Sequence, residues 1–220
     1  AVELVHQGHQ TIKIKLGLNP IEDIQRVQAI RRAVGNSITL LVDANQGWSY
    51  DETLKVIDAL QQQHLHIPMI EQPINARDLP HLKTISEQVE CLIIADEACF
   101  SPEDTLNIAK INACDGVNIK LMKSGGLENA QAIYHIAKAA HMKIMVGCML
   151  ESPIGVAAIA SFAVSKPDIA YADLDPIYLI RDNYISGGAQ RLGNKIILSD
   201  KPGLGIEGIA QGLNKIGVIH

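Results

Sequence analysis

Several familiar signatures are missing from this 220-residue chain. None of its four cysteines (Cys91, Cys99, Cys114 and Cys148) stands in a C-x-x-C pair. That removes the common zinc and dithiol motifs and favours reduced, buried thiols. Lys and Arg number 19 against 24 Asp and Glu, a net charge of −5. With no basic stripe, a nucleic-acid partner is not expected. No apolar run approaches the ~18 residues of a membrane-spanning helix, and no stretch reads as a secretory signal. The expectation is a soluble, cytoplasmic protein without a membrane partner. A G-x-G-x-x-G string does occur at residues 203–208. It follows no buried strand, opens no helix and has no acid about twenty residues on, so it is not read as a dinucleotide site.

What the chain does have is a rhythm. Of its residues 47% are hydrophobic, enough for one sizeable core. Short runs rich in Ile, Val and Leu each end in a polar or charged residue. Lys15 closes TIKIK, Asp43 closes ITLLVD, Glu71 closes IPMIE, Asp96 closes CLIIAD, Lys120 closes GVNIK, Cys148 closes KIMVGC and Asp173 closes IAYAD. The successive intervals are 28, 28, 25, 24, 28 and 25 residues, about the length of one strand, one helix and two loops. The pattern predicts strands at 11–16, 38–43, 67–71, 91–96, 116–120, 143–148 and 169–173. Helix start signals fall between them: Asn19-Pro20, Ser49, Ser101-Pro102 followed by two acids, Ser124-Gly125-Gly126 and Ser152-Pro153.

Alternating strands and helices give an α/β, TIM-type parallel barrel, whose strand ends form the rim where catalytic groups gather. Closure takes eight strands and only seven are counted. The first is therefore expected upstream of Ala1. Residues 1–185 read as the barrel. Residues 186–220 change character and read as a hairpin or extended arm that packs on something else.

The rim residues suggest chemistry. Lys13 and Lys15 alternate with Ile12 and Ile14, so both lysines face the interior. Burial and mutual repulsion can lower a lysine pKa and make it a base; a solvated strand edge is the other reading. Asp43, Glu71 and Asp96 end three consecutive strands. Three converging carboxylates call for a cation, and hard oxygen ligands suit Mg²⁺. Three unrelated, separately paired acids are the alternative. Asn45 could support the site from behind Asp43. Lys120 lies across the barrel from Lys15, with the acids between. Two amines flanking a metal suit proton removal from one face of a carbon and return to the other. Metal binding to an adjacent carboxylate would stabilise the enediolate.

TIKIKLG, VDANQGW, IEQP, IADE, NIKLMKSGG and GCMLES, in this order and spacing, resemble the enolase superfamily and, within it, the muconate-lactonizing subgroup. That superfamily uses a Lys or His base with Mg²⁺. The resemblance implies a (β/α)7β barrel, here lacking its first strand, and an N-terminal α+β capping domain that is also absent. It implies that Lys15 and Lys120 are the acid/base pair and that Asp43, Glu71 and Asp96 bind one Mg²⁺ per subunit. Lys13 would hold the substrate carboxylate and depress the pKa of Lys15. The trailing arm would pack on the cap.

Asp173 and Asp175, in YADLDP, can face the same site. An Asp-x-Asp here resembles the dipeptide epimerases, where it grips an α-ammonium group; a helix cap or solvated loop is the alternative. Cys148 and Leu150 would line the substrate channel, with Met149 and Glu151 turned elsewhere. The implied substrate is a small dipeptide such as L-Ala-L-Glu or L-Ala-D-Glu from cell-wall (murein) peptides. o-Succinylbenzoate synthase and muconate cycloisomerase share the lysines and acids and remain alternatives, as does a catalytically inactive barrel that only binds. Homo-oligomerisation is compatible with the sequence. His64 and His66 fall on the opposite side of the barrel and read as exposed. Trp48 reads as loop packing, and Lys123 falls near the rim with nothing to distinguish it from a solvated loop lysine.

Overall fold

The computed structural model describes residues 1–180 and 184–209. Seven strands stand where the sequence places them: β1 (Thr11–Lys15), β2 (Thr39–Asp43), β3 (Met69–Glu71), β4 (Leu92–Ala95), β5 (Gly116–Ile119), β6 (Lys143–Gly147) and β7 (Ile169–Asp173). They form one parallel sheet in chain order. Parallel neighbours need crossover connections, and helices supply them. These are α2 (Pro20–Val34), α3 (Tyr50–Gln62), α4 (Leu79–Gln88), α5 (Pro102–Ile111), α6 (Leu121–Ser124) with α7 (Leu127–Ala139), and α8 (Pro153–Val164). A short α1 (Val2–His6) precedes β1, and α9 (Pro176–Leu179) follows β7.

Four of the five expected helix starts carry a side-chain cap; at the fifth, Ser124 ends α6 and Gly126 begins α7 with no side-chain cap hydrogen bond. Asn19 accepts hydrogen bonds from the Ile21 and Glu22 amides. Ser49 and Glu52 form a reciprocal capping box, Ser101 accepts from Asp104 N, and Ser152 accepts from Gly155 N. Each satisfies amides that a helix start leaves unpaired.

Strand alternation divides the core in two. Ile12, Ile14, Leu40, Val42, Ile70, Ile93, Ile119 and Val146 face the helices in the main cluster. Leu41, Met69, Ile94 and Met145 form a smaller cluster on the inner face. Burying each such side chain contributes roughly 1.5–3 kcal/mol. Of the cysteines, all free, Cys91, Cys99 and Cys114 are buried and Cys148 is partly so.

The sheet curls but does not close by hydrogen bonding: β1 and β7 are its two edges among the described residues. Their carboxyl ends still meet, because Lys13 Nζ lies 2.7 Å from Asp173 Oδ2. Beside this contact a cavity of about 710 Å³ opens, lined by Thr11 and Ile12, Ala170 and Ala172, and Ile196 and Leu198.

Those last two residues come from the segment expected to form the arm, whose described part pairs in antiparallel strands. β8 (Ile185–Gly187) pairs antiparallel with β11 (Ile206–Ile209), and β9 (Gln190–Leu192) with β10 (Lys195–Ile197). The Arg191 guanidinium donates to Gln7 Oε1 at 2.6 Å and lies over the Tyr178 ring, while Asn194 donates to Gly8 O. The described part of the arm thus touches the segment after α1, and α9. Residues 210–220 of the arm lie outside the described residues. The 203–208 glycine string falls in the turn into β11, with no helix after it among the described residues.

At the amino-terminal end of the barrel, α2 is tied down by Arg31. Its buried guanidinium donates to the carbonyls of Gly35, Ile38, Leu65 and His66. Burial lowers its pKa. His64 and His66 lie at this end and are exposed, away from the rim as expected. Replacing Arg31 with Met leaves four carbonyls short of donors. Denaturant unfolding should show a loss of about 3 kcal/mol; a loss under about 0.5 kcal/mol would show that the clamp holds nothing.

Candidate active site

Sheet register sets the site. Lys15 pairs with Asp43 across β1 and β2, and Asp43 with Glu71 across β2 and β3. Glu71 pairs with Ile94, so Asp96, two residues further, projects on the same face. Asp43, Glu71 and Asp96 are buried. One oxygen from each lies within 4.8 Å of the others.

Such crowding is costly unless compensated. Lysines compensate it. Lys13 Nζ lies 3.1 Å from Asp43 Oδ2, 2.7 Å from Glu71 Oε2 and 2.7 Å from Asp173 Oδ2. Lys15 donates to Asp43 Oδ2 at 2.5 Å, and Lys120 to Asp96 Oδ2 at 2.6 Å. The Lys15 side chain is 59% exposed and that of Lys120 only 8%. The two amines therefore approach the acids from different environments.

Electrostatics correct one expectation. Burial pushes the Lys13 pKa down, but Glu71, Asp43 and Asp173 more than offset it, and it is raised. Lys120 behaves alike: burial opposes the charge, Asp96 outweighs burial, and the pKa is raised. The sequence shows the lysines together but not how closely the acids meet them. Among the acids, burial and the neighbouring Asp43 and Asp96 push Glu71 up to about 7, against the pull of Lys13. Burial also opposes ionisation of Asp96, yet Lys123 and Lys120 hold its carboxyl at about 2.

Lys123 is the second correction. It is not a solvated loop lysine. Its side chain is 5% exposed and donates to Asp96 Oδ1, Asp96 O and Asn118 O. Its ammonium also lies 5.4 Å from the Phe100 ring centroid. The sequence signal was Lys123's position three residues after Lys120, in the short helical turn α6.

Other contributors were not singled out from the sequence. Asn118, two residues before Lys120, donates from Nδ2 to Glu71 Oε1 at 2.7 Å. Its own Oδ1 is buried and has no hydrogen-bond partner among the described residues. Gln72 is buried; its Oε1 accepts from the amides of Asp96 and Ala98, which shapes the loop after β4. Asp23 on α2 accepts from Gly17 N and Trp48 Nε1, both at 2.9 Å. Trp48 packs between rim loops as expected, with Asp23 as its partner. Those loops touch backbone to backbone: a Cβ on Gly17 (φ +93°) would fall 2.0 Å from Ala44 O.

The remaining expected residues are all near the rim. Asn45 donates its backbone N–H to Asp43 Oδ1 and its side chain to Glu97. Asp173 is partly exposed and bound to Lys13. Asp175 is exposed, and its carboxyl is raised by burial of part of the group and by Asp173, against Lys13 and Lys15. Cys148 Sγ contacts Asp173 O at 3.5 Å, while Leu150 is 75% exposed. Glu151 turns inward and accepts from Met149 N.

The donor set fits a hard divalent cation. It offers oxygens only, buried and close, with the like charges of Asp43 and Asp96 raising Glu71. Magnesium is one ion of that kind.

Comparison with known proteins agrees with this picture. The profile of the family described as "Enolase C-terminal domain-like" matches residues 1–210. The chain is 42% identical, over 95% of its length, to the L-Ala-D/L-Glu epimerase of Clostridium acetobutylicum. The structure of a substrate-liganded complex of the Bacillus subtilis L-Ala-D/L-Glu epimerase superposes with a TM-score of 0.92 at 38% identity, over 94% of the chain. The Enterococcus faecalis dipeptide epimerase complexed with Mg and the dipeptide L-Leu-L-Tyr gives 0.90 at 41%, also over 94%. The chain spans 58% of the length of each of these relatives.

The Glu71 shift predicts a pH dependence. The carboxyl titrates near 4.5 in the unfolded chain and near 7 in the folded one. Between these values the folded state holds the extra proton, so stability owed to Glu71 falls as pH rises. With a chelator present, Glu71→Gln should gain melting temperature relative to the wild type on going from pH 5 to pH 8. A difference that does not change with pH would contradict the assignment.

Proposed function

The chain belongs to the enolase C-terminal domain-like family, and on that footing we propose that it is the catalytic barrel of a Mg²⁺-dependent dipeptide epimerase. The observation that carries the reading is the arrangement of Lys15 and Lys120 on two different members of one buried acid triad, Asp43 and Asp96.

Asp43, Glu71 and Asp96 are the residues that would hold one Mg²⁺ per subunit. When bound, the ion supplies positive charge against the negative charge developing on the substrate carboxylate. Lys13 adds a fixed cation beside the same position. One of Lys15 and Lys120 takes the α-proton as the C–H bond breaks. The other delivers its own N–H proton to the opposite face, so the centre inverts with no net change in protons. Lys120, held as an ammonium by Asp96, is a competent donor. In the reverse direction it is the base, and Asp96 sets how readily it gives up its proton.

Asp173 and Asp175 bias the mouth towards a cation, which supports a substrate with a free α-ammonium group. Cys148 and Leu150 would flank the side chain. The proposed substrate is a dipeptide of the L-Ala-L-Glu/L-Ala-D-Glu type, inverted at its C-terminal residue. Cytoplasmic breakdown of murein peptides is the setting this chemistry suits. The reading keeps residues 1–185 as the barrel and gives residues 186–220 the role of an arm that packs on a capping domain. Turnover compared between the 220-residue chain and an N-terminally extended protein tests the last point; equal turnover would dismiss a role for the cap.

Two experiments test the function. Incubation with Mg²⁺ and L-Ala-L-Glu in D₂O should place deuterium at the glutamate Cα and generate the D epimer. No label at Cα in the extended protein would overturn the reading. Asp175→Asn is the cleaner probe of the ammonium site, because Asp173 also holds Lys13. It should lower kcat/KM for a free dipeptide by roughly 10–100-fold, the worth of a charged hydrogen bond. An unchanged value would favour substrates without an ammonium group.

A further inference from the structure

The six oxygens of the acid triad divide into two sets. One oxygen of each acid meets a donor fixed in the framework. Asp43 Oδ1 accepts from Asn45 N at 3.0 Å, Glu71 Oε1 from Asn118 Nδ2 at 2.7 Å, and Asp96 Oδ1 from Lys123 Nζ. Among the described residues, the other oxygen of each meets only the lysines assigned to substrate and proton transfer. Asp43 Oδ2 meets Lys15 and Lys13, Glu71 Oε2 meets Lys13, and Asp96 Oδ2 meets Lys120.

The fixed donors are held firmly. Asn45 sits at φ +43° in the turn after β2, a conformation Asn tolerates better than most residues, and this aims its amide back at Asp43. Asn118 is fully buried on β5. A Cβ on Gly147 would lie 2.9 Å from its side chain, so the missing side chain at Gly147 leaves the room Asn118 occupies. Lys123 is pinned by two backbone carbonyls besides Asp96. It is therefore tied into the wall rather than free to reach a substrate.

We propose that Asn45, Asn118 and Lys123 are positioning residues that restrict Asp43, Glu71 and Asp96 to one coordinating oxygen each, and so tune the site to a small six-coordinate cation. The proposal rests on the metal reading above. Three single oxygens leave three octahedral positions for substrate and water. Mg²⁺ demands that geometry, whereas Ca²⁺ takes six to eight oxygens and readily accepts both oxygens of a carboxylate. Freeing the second oxygen of Asp96 or Glu71 should therefore relax the preference for the smaller ion. Lys123 and Asn118 act by the same route although one is charged and the other neutral.

The test is a pair of direct binding titrations, Mg²⁺ and Ca²⁺, on the wild type, Lys123→Met and Asn118→Leu, without substrate. Both ions carry the same charge, so the electrostatic effect of removing a lysine cancels in the ratio of their affinities. The Ca²⁺/Mg²⁺ affinity ratio should rise about ten-fold or more in each variant, in the range seen when groups behind metal ligands are lost. If Lys123→Met fails to fold, Asn118→Leu decides the matter. A ratio within two-fold of wild type in a folded variant overturns the proposal while leaving the metal site intact. A wild type that binds neither ion overturns the metal reading, and this proposal with it.

Discussion

Three buried carboxylates within 4.8 Å of one another are the constraint that the rest of this barrel serves. Left alone they would repel one another and resist ionisation. The chain answers with lysines from both flanks, Lys13 and Lys15 on β1 and Lys120 and Lys123 just after β5. The balance is deliberately local. Asp96, with two ammonium groups, is held at about 2, whereas Glu71, sharing Lys13 with two other acids, stands near 7. A divalent cation at the triad would complete the same balance from the inside.

Register and packing make the cluster possible. The parallel ladder aligns Lys15, Asp43 and Glu71 side by side, and a two-residue period brings Asp96 to the same face. Behind them, apolar residues of alternate parity anchor each strand to its helix. At the rim, the Gly17–Ala44 approach and the Asp23–Trp48 hydrogen bond lock the first two loops together. At the far end, the buried Arg31 guanidinium binds carbonyls of the chain entering β2 and β3. Rigid elements at both ends hold the acids to a geometry that loops alone would not maintain.

Much of this was legible in the sequence because it follows from short periods. Strand ends spaced 24–28 residues apart announce βα units, and alternation along TIKIK puts both lysines on one face. What stayed hidden depends on contacts across the fold. Lys123 looked like any loop lysine until α6 turned it back onto Asp96. Asn118 and Gln72 sit inside motifs, yet their partners are 47 and 24 residues away. The direction of the lysine pKa shifts could not be read either: burial and three nearby acids act oppositely on Lys13, and only distance shows which prevails. The strand count anticipated seven strands, and among the described residues the structure shows seven in one sheet whose edges, β1 and β7, are bridged by Lys13 and Asp173.

The central claim is that Lys15 and Lys120 work on opposite faces of one carbon. Single substitutions, Lys15→Ala and Lys120→Ala, followed by α-proton exchange of each separate dipeptide epimer in D₂O with Mg²⁺ present, test it most directly. The account predicts that each variant loses inversion but still exchanges one epimer, and that the two variants retain opposite epimers. Retention of the same epimer by both, or full inversion by either, would contradict it.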